Sequence, residues 1–198
     1  KVMYSVSQYY HDPTPIIHNS IEEFCMWAFQ EEHKGYTFIA HNGRGYDYKF
    51  IIRWVFDNTL FKPFTIFAGC KIMCMSIQQL KIKFIDSLSF LTMALKEFPK
   101  TFGLKELRKG FYPHWFNTKE NWDYVGPMPP IKYFKHNQMK AKDRSEFILW
   151  YESKIAENYV WNQQEEMKLY CISDVDILRR SCLIFRDLYI KTCRIDPF

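Results

Sequence analysis

Hydrophobic positions repeat with two different periods along the chain, which predicts a mixture of strands and helices. "KIKFID" (81–86) alternates polar and apolar side chains, and "YTFIA" (36–40) is a short apolar run typical of a buried strand. After Asp47, the apolar side chains follow the helical period. The same reading predicts strands over 2–10 and 64–86 with turns at Gly69 and near Gln79, a short helix over 88–95, and helices over 19–33, 142–159 and 162 to about 192.

Strands alternate with helices in this reading, which favours an α/β domain built on a mixed sheet flanked by helices. The length of 198 residues predicts a single domain over 1–198. Most of the prolines and many aromatic residues fall in 111–137, which we interpret as an ordered but irregular insertion. Within it, the aromatic side chains of 111–134 are interpreted as insertion core rather than as a base-stacking platform.

Composition bounds the class of protein without deciding its function. Apolar residues make up 47% of the chain and aromatic residues 19%, which is ample for a core and argues against disorder. The net charge of +5 fits nucleic-acid binding, although ordinary soluble enzymes share it. Lys105, Arg108 and Lys109 form a basic cluster that is either a solvated face or a phosphate contact.

Cysteine usage and hydropathy predict an intracellular protein that does not contact membranes. The six cysteines form no paired CxxC set, and we interpret them as reduced core thiols in a reducing compartment. Cys70 and Cys74 are close in sequence, but a zinc site needs two more ligands and none is obvious. No apolar run reaches membrane-spanning length and no secretory signal opens the chain, so we expect an intracellular, and in a eukaryote nuclear, location.

The C-terminal helix places one carboxylate at the edge of a buried face. Its predicted buried stripe consists of Met167, Cys171, Val175, Leu178, Cys182, Phe185 and Tyr189. Asp174 lies at the border of this stripe, and Tyr170 lies one turn before it. A half-buried carboxylate needs a cation, a metal ion or hydrogen-bond donors, so Asp174 is either a metal ligand or the partner of Arg179 or Lys168.

Asp47 and Asp174 together suggest phosphodiester chemistry, because two-metal hydrolysis needs several carboxylates around two divalent ions. The alternatives are structural. Asp47 could cap the helix that follows it, and Tyr170 could be simple core. Asp86 is interpreted as a helix N-cap, and His41 as a packed residue at a strand end rather than a ligand.

Three short segments carry a family resemblance. "HNGRGYD" (41–47), "YCISD" (170–174) and "IDSLSFL" (85–91) resemble motifs of the 3′–5′ exonuclease domain of family B DNA polymerases. The chain is most similar to the protein-primed branch of this family, found in adenoviruses, some bacteriophages, linear plasmids and Polinton/Maverick transposons. The phrases "FPKTFGL", "GFYPHWFNT" and "YVGPMPPIKYF" resemble the transposon-type polymerases. The resemblance covers about residues 36–192 and implies an RNase H-like fold.

The resemblance also implies catalytic roles. Asp47 and Asp174 would bind Mg²⁺ or Mn²⁺, and Tyr170 would orient the attacking water. In a full-length polymerase, such a domain would remove mismatched 3′ nucleotides during DNA replication.

Four further residues would contact the single-stranded 3′ end. Asn42 would hydrogen-bond the terminal nucleotide and Tyr46 would stack on it. Ser87 and Leu88 would hold the strand that is trimmed.

The chain departs from this family at the first exonuclease motif, an Asp-x-Glu on a strand well before the Asn-x3-Tyr-Asp loop. Residues 1–41 contain no Asp-x-Glu, since Asp12 is followed by Pro-Thr and Glu22-Glu23 fall in a predicted helix. We therefore expect little or no nuclease activity, weak or absent metal binding through Asp47 and Asp174, and an uncovered sheet edge.

The polymerase palm and thumb are also missing from these 198 residues. Two hypotheses follow. Either the chain is a fragment of a longer polymerase, or it is a domesticated, catalytically dead module that binds a protein or nucleic-acid partner through the insertion or the sheet edge.

Overall fold

The computed structural model describes residues 4–104 and 110–198. The basic cluster of Lys105, Arg108 and Lys109 lies outside the described residues. Contacts within the chain divide it into two compact units. The first unit comprises Lys1–Arg108 and Asp174–Phe198, and the second unit comprises Lys109–Ser173. The prediction of one domain with an insertion over 111–137 stays a prediction.

The strands and helices of the described residues alternate along the chain as the hydrophobic pattern predicts. In chain order they are β1 (Ser5–Ser7), β2 (Ile16–His18), α1 (Ile21–Ala28), β3 (Thr37–Ala40), α2 (Asp47–Asn58), β4 (Pro63–Ala68), β5 (Lys71–Ile77), β6 (Ile82–Asp86), α3 (Phe98–Thr101), β7 (Val125–Gly126), α4 (Ala141–Ala156), β8 (Trp161–Asn162) and α5 (Gln163–Cys193). None of the helices in residues 4–104 and 110–198 combines the length and the apolar character needed to cross a bilayer.

The first unit is built on a four-stranded mixed sheet with the order β3-β6-β5-β4. β3 runs parallel to β6, whereas β5 is antiparallel to both β6 and β4. β3 is thus an edge strand, and among the described residues β6 is its one ladder partner. β4 is the other edge strand, and which edge the missing motif would have covered stays a prediction. β1 and β2 form a separate antiparallel pair.

Helices cover both faces of this sheet, so the predicted α/β class with a mixed sheet is confirmed. On one face, α1 and α2 bury Cys25, Ile51 and Val55 against β5 and β6. On the other face, Ile39 of β3 packs with a cluster that includes Ile177 of α5. The alternation of side chains along β3 sends neighbouring residues to opposite faces.

The second unit has few regular elements and an aromatic core. α4, β7 and β8 enclose the buried side chains of Tyr112, Met128, Phe134, Phe147 and Trp161. Between Gly110 and α4, the chain forms short 3₁₀ turns at His114–Phe116, Lys119–Asn121, Ile131–Phe134 and His136–Gln138, separated by irregular segments and β7. The predicted irregular character of this segment is confirmed, and its aromatic side chains are mainly core, as interpreted.

The helix predicted over 88–95 is wrong, because only a 3₁₀ turn forms at Ser87–Ser89. Phe90, Leu91 and Met93 all contact the cluster beneath α5. Side chains one and two residues apart point in different directions on a helix, so a more extended chain is needed to bury all three. The predicted strand over 2–10 is also shorter, since the described part contains only the three residues of β1.

Two burial predictions are corrected as well. The buried side chains of α5 are those of Gln163, Ile177, Ser181 and Cys182, whereas Tyr189, at the far end of the predicted stripe, is 38% exposed. Among the cysteines, Cys70 and Cys193 are exposed, because Cys70 lies in the turn between β4 and β5 and Cys193 ends α5. Burial of Cys25 and Cys182 raises the pKa of each thiol to about 12.

Candidate functional site

The candidate site forms where β3 and β6 end side by side. In their parallel register Ala40 lies opposite Asp86, so the carboxyl ends of both strands reach the same edge of the sheet. The loop that contains the Asn-x3-Tyr-Asp pattern leaves β3 there, and the Ser-Leu segment leaves β6 there. Two motifs that are far apart in sequence are thereby brought together.

Asp86 fixes the conformation of both segments. Its carboxylate, which is 1% exposed, accepts hydrogen bonds from the backbone N–H groups of Asn42, Arg44 and Leu88, each at 2.9 Å. The guanidinium Nε of Arg44 lies 3.9 Å from the same carboxylate. The N-cap interpretation of Asp86 is confirmed by the bond from Leu88, and the two bonds to the other loop are an additional role.

Gly43 lets this loop approach the helix that follows it. A Cβ atom on Gly43 would lie 2.9 Å from Cβ of Ala40 and 2.9 Å from Cε1 of Tyr48. Tyr48 cannot move aside easily, because its ring is buried and its hydroxyl donates a hydrogen bond to the carbonyl oxygen of Ile85 at 2.5 Å. The absence of a side chain at Gly43 therefore sets the path of the loop.

Replacing Gly43 with alanine is expected to lower the free energy of unfolding by about 1–3 kcal/mol, as overpacking of a tight site does. Urea denaturation of the two proteins measures the difference. Gly110→Ala is the control, because a Cβ there meets no atom within 4 Å and should change stability by less than about 0.5 kcal/mol. Equal stability of Gly43→Ala and the original protein would contradict the close approach.

Asp47 is the first residue of α2 and remains exposed. Tyr46, rather than Asp47, occupies the N-cap position, and no side chain caps this helix by a hydrogen bond. Surrounding protein atoms raise the pKa of the Asp47 carboxyl above its ordinary value, and the nearby negative charge of Asp86 raises it further. Asp47 thus presents a carboxylate to solvent beside a second, buried carboxylate.

Of the candidate nucleotide-contacting residues, Asn42 and Tyr46 belong to the same loop as Asp47, whereas Leu88 follows β6. Asn42 is exposed and adopts a left-handed backbone conformation with φ of 64°, which asparagine tolerates better than most residues. Tyr46 is 60% exposed, with its ring edge-on to Phe50 at 4.7 Å. Leu88 is half-buried. Asn42 and Tyr46 are therefore accessible to a ligand.

Ser87 is placed differently from these residues. It is fully buried, and its hydroxyl donates a hydrogen bond to the carbonyl oxygen of Ala40 at 3.0 Å. Nδ1 of His41 lies 2.9 Å from the same hydroxyl, and the His41 ring packs edge-on against Phe98. The structure thus gives Ser87 a role in tying β3 to β6, while its predicted contact with a nucleic-acid strand stays a prediction.

Asp174 is half-buried in α5 at the start of the part that belongs to the first unit. Of the two cations considered as its structural partners, Arg179 pairs with Asp176 at 2.9 Å. Lys168 pairs with Glu165, also at 2.9 Å. A metal-binding role for Asp174 stays a prediction.

Tyr170 belongs to the second unit and packs in its aromatic core. Its ring centre lies 5.1 Å from that of Tyr112 and 5.5 Å from that of His114. These contacts support the structural interpretation of Tyr170. Its predicted role in orienting a water molecule stays a prediction.

The described carboxylates do not fit a two-ion centre. Among residues 4–104 and 110–198, no three or more histidine, cysteine, aspartate or glutamate side chains gather where they could hold a metal ion. Asp86 lies near Asp47, but both of its oxygens already accept backbone N–H groups. Asp47 and Asp174 are fewer carboxylates than two-metal hydrolysis requires.

Sequence reasoning missed two parts of this site, the loop-binding role of Asp86 and the position of Arg44. Arg44 extends from the loop toward β5 and the Ser-Leu segment, with its guanidinium 3.6 Å from Sδ of Met73 and 3.4 Å from Oγ of Ser89. The role of Asp86 could have been suspected from the sequence, because Asp86 is the last residue of the alternating strand. No local pattern singles out Arg44.

Comparison with known proteins gives the chain a family. The sequence pattern of the family described as "DNA polymerase type B, organellar and viral" matches residues 30–198. A probable DNA polymerase of Agaricus bitorquis is 30% identical over 123 residues, which cover 54% of this chain and 14% of that protein. A probable DNA polymerase of Podospora anserina is 42% identical over 57 residues, 29% of this chain and 5% of that protein.

The chain thus spans a small part of the curated relatives that it matches. No solved structure matches it. The family pattern, however, covers most of the chain, including the loop after β3 and the segment after β6 that form the candidate site. The chain therefore belongs to the organellar and viral type B DNA polymerase family.

Proposed function

We propose that this chain is a 3′–5′ exonuclease-like domain of a protein-primed type B DNA polymerase, with an RNase H-like fold. In a longer polymerase it would receive the single-stranded 3′ end for proofreading. The observation that carries this proposal is the loop from His41 to Asp47, which Asp86 binds to the strand ends while Asn42, Tyr46 and Asp47 stay exposed.

The arrangement supports binding of a nucleotide better than its hydrolysis. Tyr46 offers an accessible ring on which a terminal base can stack, and Asn42 lies beside it in the same loop. Asp47 brings a solvent-facing carboxylate to this edge of the sheet, whereas Asp86 is buried and both of its oxygens already accept backbone N–H groups. We therefore propose that this chain by itself has little or no nuclease activity and binds Mg²⁺ or Mn²⁺ weakly or not at all.

A degradation assay tests this proposal. Single-stranded DNA, labelled at its 5′ end so that shortening from the 3′ end is visible, is incubated with the chain and Mg²⁺ or Mn²⁺. We expect no shortening above the level of an Asp47→Ala, Asp174→Ala double variant. Shortening by the original chain that either single substitution abolishes would contradict the proposal.

A second candidate function is favoured by the position of β3. This strand is an edge strand that pairs only with β6 in the described part of the chain, so its outer side can accept a strand from a protein partner. Such a domain would be a domesticated binding module. A partner that adds a strand would protect the β3 amides from hydrogen exchange, whereas DNA bound at Tyr46 alone would leave them unchanged.

A further inference from the structure

A second accessible aromatic ring lies in the other unit, among lysine side chains. Trp115 is 51% exposed, and Nζ of Lys135 lies 4.8 Å from the centre of its ring. Nζ of Lys132 lies 5.1 Å from the ring centre of its neighbour Tyr133, whose ring in turn contacts Phe116, the residue after Trp115. We refer to Trp115, Lys132 and Lys135 as the basic-aromatic surface.

The core of the second unit holds this surface in place. Phe116 and Phe134, the chain neighbours of Trp115 and Lys135, are 5% and 3% exposed. Lys135 itself adopts a left-handed backbone conformation with φ of 55°, between two consecutive 3₁₀ turns. Because Phe116 and Phe134 are buried, the backbone next to Trp115 and Lys135 is held by the core of the unit. The Trp115 ring and the two ammonium groups therefore lie on a packed framework rather than on a loose loop.

Lysine predominates in the segment that carries Lys132 and Lys135. Residues 124–142 contain four lysines and no aspartate or glutamate, and Asp123 and Asp143 flank this segment. Lys132, Lys140 and Lys142 are exposed, and Lys135 is half-buried. Within residues 4–104 and 110–198, none of these four lysines forms an ion pair with a carboxylate. Their ammonium groups are therefore available to an anionic ligand.

An accessible indole among unpaired lysines has the chemistry of a site for single-stranded nucleic acid. A base can stack on the free face of the Trp115 ring, or it can displace Lys135 from the other face. The phosphates of the strand can contact the lysine ammonium groups. In a duplex the faces of the bases are stacked on each other, so an indole reaches them only if a base step is unstacked, which costs a few kcal/mol. The combination thus favours a single strand over a duplex.

We propose that the basic-aromatic surface binds single-stranded DNA, with a base on Trp115 and phosphates on Lys132 and Lys135. The choice of DNA as the occupant rests on the proposed function of the chain. The surface itself uses neither Asp47 nor Asp174 and requires no metal ion. It is a binding site additional to the loop at the end of β3.

Fluorescence anisotropy of a labelled oligodeoxythymidine, in EDTA and at low salt, tests the proposal on the whole chain. We expect Trp115→Ala to weaken binding about tenfold and Trp115→Phe to restore most of it, because stacking of one base contributes about 1–3 kcal/mol. Lys135→Gln should lower the slope of log K against log salt by about 0.7, the value for one lost phosphate contact on a single strand.

The controls separate this proposal from unspecific attraction and from the proposed function. Lys62→Gln, which removes an exposed charge in the first unit, should leave the affinity nearly unchanged. Affinity that is the same in Trp115→Ala as in the original chain, or equal tight binding of duplex DNA, would overturn the proposal. The assay contains no metal ion, so its result does not depend on the outcome of the degradation assay.

Discussion

Replacing Asp86 with alanine is expected to lower the free energy of unfolding by about 3–5 kcal/mol. The substitution removes the shared acceptor of three backbone N–H groups, those of Asn42, Arg44 and Leu88. It also leaves the Arg44 guanidinium, whose side chain is 19% exposed, without its nearest carboxylate. Urea denaturation followed by circular dichroism measures the loss.

Asp57→Ala is the matched control. Asp57 also pairs with an arginine, Arg53, but its side chain is 62% exposed and the pair lies on the surface of α2. Exposed ion pairs one helical turn apart contribute about 0.3–0.5 kcal/mol, so this variant should be nearly as stable as the original. If the two aspartate variants lost the same small amount, Asp86 would not be the acceptor that holds the two segments together.

Replacing Gln163 with leucine is expected to cost about 2–4 kcal/mol of stability, although the two side chains are similar in size. Gln163 is 1% exposed and lies inside the second unit. Its Oε1 accepts a hydrogen bond from the Trp161 indole at 2.8 Å, and its Nε2 donates one to the Tyr112 hydroxyl at 2.7 Å. Leucine would leave two buried polar groups without their partner.

Gln138→Leu serves as the control, because Gln138 is exposed in a 3₁₀ turn of the same unit. It should change the free energy of unfolding by less than about 0.5 kcal/mol. A Gln163→Leu protein that unfolds at the same urea concentration as the Gln138→Leu protein would contradict the buried network. Near-ultraviolet circular dichroism, which reports the packing of Trp161 and Tyr112, would show whether the core itself has changed.

The fold was predictable where a short pattern decides the local structure. The alternation in 81–86 and the turn at Gly69 predict β6 and the hairpin of β4 and β5. The helical period predicts α4 and α5 to within a few residues, and it predicts a helix after Asp47, where α2 begins. In α2, β5 and β6, side chains at the predicted period are buried, so period and structure agree there.

Prediction failed where contacts between residues distant in sequence decide the local structure. The stretch after Ser89 looks helical by composition, yet Phe90 and Leu91 both pack against the cluster beneath α5. The position of the most buried face of α5 also follows from its partners, which bury Ile177 and Ser181 rather than the predicted Tyr189. No local period contains this information.

In the candidate site, too, a local pattern predicted some features, and contacts between residues distant in sequence decided the others. The Asn-x3-Tyr-Asp pattern was sufficient to place Asn42, Tyr46 and Asp47 together in a loop after a strand. The bonds from Asp86 to this loop depend on the pairing of β3 with β6, which joins residues that are far apart in sequence. The structure therefore adds the framework that positions the loop, and the role of the loop in binding DNA remains our proposal.

The central claim is that the loop at the end of β3 is preserved as a framework while the carboxylates needed for two metal ions are too few. Calorimetric titration of the purified chain with Mn²⁺, with Asp47→Ala as the control, tests it most directly. We predict at most one weakly bound ion, whose binding heat disappears in Asp47→Ala. Two bound ions per chain would contradict the account, because further carboxylates would then have to complete an active centre.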